Sequence, residues 1–124
     1  VPVPNIDTSG PLAVDDIVIA VNPFAVPSAR VTAAAVRAGG LGVLDLTSGG
    51  RRAAGELALA GEWSPTGFGV RLRDDAAFPA RELPVGAHTV LLTDDACCTP
   101  ADFPGRRVLV EVTGREQALR AAAA

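Results

Sequence analysis

Five apolar runs in this chain each carry a polar side chain at or just past the C-terminal end: Asn22, Asp45, Arg71, Thr93 with Asp94, and Glu111. An amide, a guanidinium and carboxylates at such positions can bind and orient a ligand. They can equally neutralise one another. Burying such groups without partners costs a few kcal/mol, so each must have an outlet. Two outlets stay open at this level. One is a shared mouth, solvated or filled by a ligand. The other is a set of internal ion pairs among Asp45, Arg71 and Glu111 that completes the core.

Other reactive side chains are sparse. Cys97 and Cys98 lie near His88, Asp94 and Asp95 in sequence, but adjacent cysteines lack the two- to four-residue spacer of zinc sites. A catalytic thiol needs a nearby base, and the single histidine falls at the start of a strand, away from the cysteines. His88 reads as a surface or turn residue and Trp63 as packing at a helix end. The run Gly39-Gly40-Leu41-Gly42 has the wrong order for a dinucleotide fingerprint, which follows a strand and opens a helix. Here the glycines follow a helix and open a strand, as a C-cap and tight turn would. The chain has neither an activated-serine motif nor a Walker-type phosphate loop.

The elements that must position these residues follow from pattern. Ile17 to Val21 is a continuous apolar run rich in β-branched residues, expected as a strand buried on both faces, as in a parallel sheet. Asn22-Pro23 breaks it. Ser28 caps a helix running through Arg37 and Ala38, with Val31, Ala34, Ala35 and Ala38 inward. Leu41 to Leu46 is the second strand. Thr47 to Gly50 turns into a helix near Arg51 to Trp63, with Ala54, Leu57, Ala58 and Gly61 on its inner stripe. Phe68 to Leu72, His88 to Thr93 and Arg107 to Val112 are further strands. The stretches Asp74 to Gly86 and Asp94 to Gly105 read as loops, broken by prolines at 79, 84, 100 and 104. Thr113 and Glu116 form a capping box for a last helix with Ala118, Leu119 and Ala122 inward. Tight hairpin turns are missing, so parallel order is the natural reading. The strand spacing is tighter than the roughly 30 residues per unit of an average barrel.

Composition bounds the rest. The chain has 124 residues, 48% of them apolar, which suits one globular domain with a modest core. Every basic residue other than the lone histidine is arginine, and methionine and tyrosine are missing, a bias of GC-rich bacterial coding. A net charge of −3 without a basic cluster argues against nucleic acid. No apolar run approaches the ~20 residues of a membrane span. The start, Val1-Pro2-Val3-Pro4, lacks signal-peptide character, and the paired cysteines suit a reducing, cytoplasmic setting. Residues 1–15 read as an extended leader or linker and residues 16–124 as the domain. The chain stops at Ala121 to Ala124 in mid-helix. The expectation is therefore an incomplete (β/α)8 TIM barrel of about five parallel strands, with unpaired edges that favour self-association.

The segment Ala33-Ala34-Ala35-Val36-Arg37-Ala38-Gly39-Gly40-Leu41-Gly42-Val43-Leu44 resembles the FMN-dependent nitronate monooxygenase family (2-nitropropane dioxygenases) and the related flavin-dependent enoyl reductases. Phe68-Gly69-Val70-Arg71-Leu72 falls on that family's Phe-Gly-Val-Asn-Leu strand, and the likeness runs from Ile17 onward. A weaker likeness is to barrel segments in bacterial polyketide or polyunsaturated fatty-acid synthases. The resemblance implies an N-terminal portion of an FMN barrel, with Asn22, Asp45, Arg71 and Glu111 as cofactor-binding candidates and no catalytic residue or metal. Asn22 replaces a methionine and Arg71 a flavin-contacting asparagine. The family's phosphate-holding glycines and catalytic histidine follow later strands. The implied partners are the rest of the barrel or other synthase domains. The alternatives are a degenerate structural or docking module of a polyketide synthase, and a self-contained small α/β domain.

Overall fold

The computed structural model describes residues 18–123. The expected leader over residues 1–15 and the start of the first strand at Ile17 lie outside the described residues. Five strands follow in order: β1 (Ile19–Val21), β2 (Leu41–Asp45), β3 (Phe68–Leu72), β4 (Ala87–Leu92) and β5 (Arg107–Val110). Three α-helices alternate with them: α1 (Ala29–Arg37) after β1, α2 (Gly50–Trp63) after β2 and α3 (Arg115–Ala123) after β5. Each strand pairs in parallel with its predecessor, so the sheet order is β1-β2-β3-β4-β5. This is an α/β fold consistent with part of a (β/α) barrel. Right-handed crossovers in such an order place the helices on one face of the sheet.

Strand alternation divides the side chains cleanly. Leu44, Phe68, Val70, Leu72, Val90 and Leu92 face the helices and pack with Ala53, Leu57 and Ala60 of α2. Val43, Gly69 and Arg71 point to the opposite face; a Cβ on Gly69 would lie 3.1 Å from Val43 Cγ2. After β3 and β4 the chain saves length by replacing helices with 3-10 turns at Ala80–Glu82 and Pro100–Asp102. Phe78, Leu83, Cys98 and Phe103 from these loops are buried in the same cluster as the helix-facing strand residues. Arg106 fastens the first loop: its guanidinium donates to the carbonyls of Ala87 (2.8 Å), Ala80 (3.2 Å) and Leu83 (3.2 Å). That accounts for the tight strand spacing.

The glycine run serves packing. Gly39 takes a positive φ of 92° at the helix exit, where a left-handed residue ends a helix without a Cβ penalty. A Cβ on Gly40 would lie 3.0 Å from the Val18 carbonyl oxygen. At Gly42 it would run into the Thr32 carbonyl oxygen of α1.

Several expectations need correction. Among the described residues β1 is an edge strand: Ile19 is 42% and Val21 36% exposed, so it is not the strand buried on both faces that was expected. On α1 the buried residues are Ala29, Thr32 and Ala33, whereas Val31 and Ala34 are exposed. Ser28 does cap this helix, its hydroxyl accepting from Val31 N at 3.3 Å. On α2 the stripe is Ala53, Leu57 and Ala60, one residue out of phase with the expected one except at Leu57. On α3 Leu119 and Ala122 are exposed, and Gln117 replaces Glu116 in the cap, its side-chain oxygen accepting from Thr113 N (2.8 Å) and Oγ1 (3.0 Å). Trp63 is exposed rather than packed.

His88 sits at the start of β4 with its ring over Gly67 and Nδ1 2.7 Å from Thr89 Oγ1. Burial, and then the charge of Arg107, lower its pKa. The unfolded chain therefore binds this proton more readily than the folded one, and stability rises with pH through that interval. The contribution is intact above about pH 6.5, the ordinary imidazole value, and declines as pH falls below it. Urea midpoints should be lower near pH 5.5 than near pH 7.5, and His88→Gln should shrink the difference.

Candidate functional site

The four residues singled out in the sequence form one continuous polar chain across the C-terminal ends of the strands. It begins at Asn22, just past β1 and 3% exposed. Its Oδ1 accepts from Ser28 N (3.0 Å) and Asp45 N (3.1 Å), and its Nδ2 donates to Ser28 O and to Thr32 Oγ1, both at 3.3 Å. An amide offers two donor hydrogens and two acceptor lone pairs, so the capacity of Asn22 is used up. These bonds hold the β1–α1 connection, where Phe24 and Ala25 both adopt left-handed backbone (φ 59° and 53°). Such conformations are costly for residues with a Cβ, and the Asn22 clamp offsets that cost.

The chain continues at Asp45, the last residue of β2, whose side chain is 2% exposed. Oδ1 accepts from Thr47 N (2.9 Å) and Thr47 Oγ1 (2.5 Å), and Oδ2 from Arg71 Nη1 (3.0 Å). Arg71 on β3 reaches past β4 to Glu111, with Nε donating to Oε1 (2.6 Å) and Nη2 to Oε2 (3.1 Å). The two-pronged contact is the strong geometry for a guanidinium and a carboxylate. Its hydrogen bonds to Glu111 raise the Arg71 pKa above its already high value, against the opposing effect of burial. The cluster of two carboxylates and one guanidinium has a formal charge of −1.

Thr93 and Asp94, also picked out at a strand end, stand apart from this chain. Thr93 Oγ1 donates to Asp95 Oδ1 at 2.7 Å, and Asp95 lies 3.4 Å from Arg73 Nε. The Thr93 hydroxyl and then Arg73 hold the Asp95 carboxyl below its usual range. Among the described residues Asp94 contributes its carbonyl, which accepts from Gln117 Nε2 at 3.0 Å. Both cysteines are free, and Cys98 is buried with its thiol pKa pushed up, foremost by burial. His88 lies at the other end of β4. Among the described residues no three His, Cys, Asp or Glu gather as a metal site, and no helix is long and apolar enough to cross a membrane.

Thr32, Thr47 and Ser28 complete the chain; the sequence pointed to no site role for the two threonines. Only Ser28 carried a signal, as a cap; a threonine within a helix gives no hint that an asparagine ten residues earlier will bury it.

No family model, curated protein or solved structure matches this chain. The chemistry of the mouth therefore rests on its own residues. Flavin mononucleotide fits them poorly. Its ring wants donors and acceptors, but Asn22 has none left over. Neither carboxylate is placed as a base, since each is engaged by a cation or hydroxyl.

Replacing Asn22 by alanine should cost about 2 kcal/mol, because the buried Asp45 amide and Thr32 hydroxyl lose their partner. Chemical denaturation of the variant checks this, and Asn22→Asp, which keeps the acceptor alone, should recover part of the loss.

Proposed function

We propose that this chain is a (β/α)-barrel segment of the nitronate monooxygenase and enoyl reductase type in which the mouth of the sheet has become a structural brace. In this reading it acts as a non-catalytic structural or docking module of a larger synthase-like polypeptide. The observation that carries the proposal is Arg71 held between Asp45 and Glu111. It stands where the resemblance places a flavin-contacting asparagine. The test is visible absorbance of the purified natural gene product, with and without added FMN. The brace predicts no bound flavin, and no recovery of binding on Arg71→Asn.

A second reading keeps an FMN-dependent oxidoreductase in the parent polypeptide. It is favoured by the collection of Asn22, Asp45, Arg71 and Glu111 at the C-terminal end of a parallel sheet, where ligands of such folds sit. A flavin spectrum that survives gel filtration would establish it and would overturn the brace.

A further inference from the structure

The turn that follows β1 has the wrong residues for its shape. Val26 N donates to Pro23 O at 3.2 Å, which closes a four-residue turn over residues 23–26. Its two central residues, Phe24 and Ala25, have φ of 59° and 53°. Positive φ at both central positions defines the mirror-image turn, normally occupied by pairs such as Asn-Gly and Gly-Gly. A Cβ makes that backbone costly for phenylalanine and alanine. The ordinary turn has negative φ at both positions, accepts most residues and is closed by the same hydrogen bond. Two mirror forms are therefore open to this segment, and the occupied one is the form its residue types disfavour.

The Phe24 side chain adds to the imbalance. It is 94% exposed, so its ring draws no stabilisation from burial. Val21 and Val26, on either side of the turn, are 36% and 41% exposed and offer apolar surface to a ring that moves. Asn22 opposes this by holding the connection at both ends. Its side chain binds Ser28 N and Ser28 O at the far end, and Asp45 N on β2 at the near end. It also donates to Thr32 Oγ1 of α1. With both ends pinned, the hand of the turn between them is the remaining freedom. Backbone strain persists only where its surroundings over-determine it, and it collects in segments that switch.

We propose that residues 23–26 form a two-state latch. The segment exchanges between the mirror-image turn, which displays Phe24 to solvent, and the ordinary turn, which carries the ring to the other side of the turn plane. The Asn22 clamp sets the balance. The exchange keeps the Val26-to-Pro23 hydrogen bond and both ends of the connection, so it is confined to Phe24 and Ala25. It moves the largest side chain of residues 22–28, at the end of the sheet where Asn22 meets Asp45. That end thus alternates between displaying and withdrawing an aromatic ring. The latch operates whether or not the mouth binds flavin, so its outcome and that of the proposed function can be told apart.

Backbone amide relaxation dispersion and saturation-transfer NMR of the full chain test it. Exchange is expected at the amides of Phe24, Ala25 and Val26 and not within α1. Ala25→Gly removes the penalty of the left-handed form at one position and should lower the minor population about five- to thirty-fold. Asn22→Asp, whose carboxylate cannot donate to Ser28 O or Thr32 Oγ1, should raise that population about tenfold. Flat profiles at all three amides overturn the inference. So does a minor population that Ala25→Gly leaves unchanged, or one that Asn22→Asp leaves unchanged.

Discussion

Arg71→Ala should lower the stability of this domain by about 3 kcal/mol, the low end of the range for breaking a buried ion pair. The low end applies because the Arg71 and Glu111 side chains are 25% and 32% exposed, whereas that of Asp45 is only 2% exposed. The loss comes mainly from Asp45. Without the guanidinium its carboxylate keeps only Thr47 as a donor and sits uncompensated beneath the sheet surface. A domain of this size has a net stability of about 5–15 kcal/mol, so the urea midpoint should fall well outside experimental error. Glu111→Gln, at the exposed arm, should cost about 1 kcal/mol. Asp45→Asn combined with Arg71→Met should recover much of the loss, since removing both charges is far cheaper than removing one. If Arg71→Ala unfolds at the wild-type midpoint, the brace has no energetic meaning.

Gly42→Ala should be comparably damaging through an unrelated cause. The added methyl would collide with the Thr32 carbonyl oxygen and come within 3.1 Å of Val36 Cγ2. Both belong to α1, and a helix backbone cannot give way as a flexible side chain can. α1 would have to lift from β2, at a cost of about 3 kcal/mol or more. Gly55→Ala on the exposed side of α2 is the control. A Cβ there meets nothing within 4 Å, and the gain in helix propensity should stabilise by about 0.5–1 kcal/mol. Opposite signs from the same chemical change would separate packing from backbone preference.

These two sites show what the sequence revealed and what it hid. The parallel sheet was legible because β2 to β5 are continuous apolar runs with no hairpin signals between them. Which strand lies at an edge was not, since β1 has the same composition as a central strand. The phase of α1 differs from the expected one because a polar residue, Thr32, lies on its buried side; that burial depends on its hydroxyl accepting from the Asn22 amide across a turn. The phase of α2 slipped by one residue because alanines occupy both 53 and 54, and 58 and 60, so pattern alone barely distinguishes the faces. At the mouth, residue types gave the position of Asn22, Asp45, Arg71 and Glu111, and two outlets for them. Choosing between the outlets required the reach of Arg71 over β4, which no local pattern encodes.

The ordering of the sheet bears on how the chain is made. Each strand pairs with the one synthesised just before it, so its docking surface already exists when it leaves the ribosome. The intervening segments are of similar length, and loop-closure entropy grows only slowly with length. Each addition thus meets a similar entropic cost, with no long wait for a distant partner. The 3-10 loops after β3 and β4 shorten two of those intervals further. Such a chain can fold vectorially, unit by unit, with its newest edge always the open one.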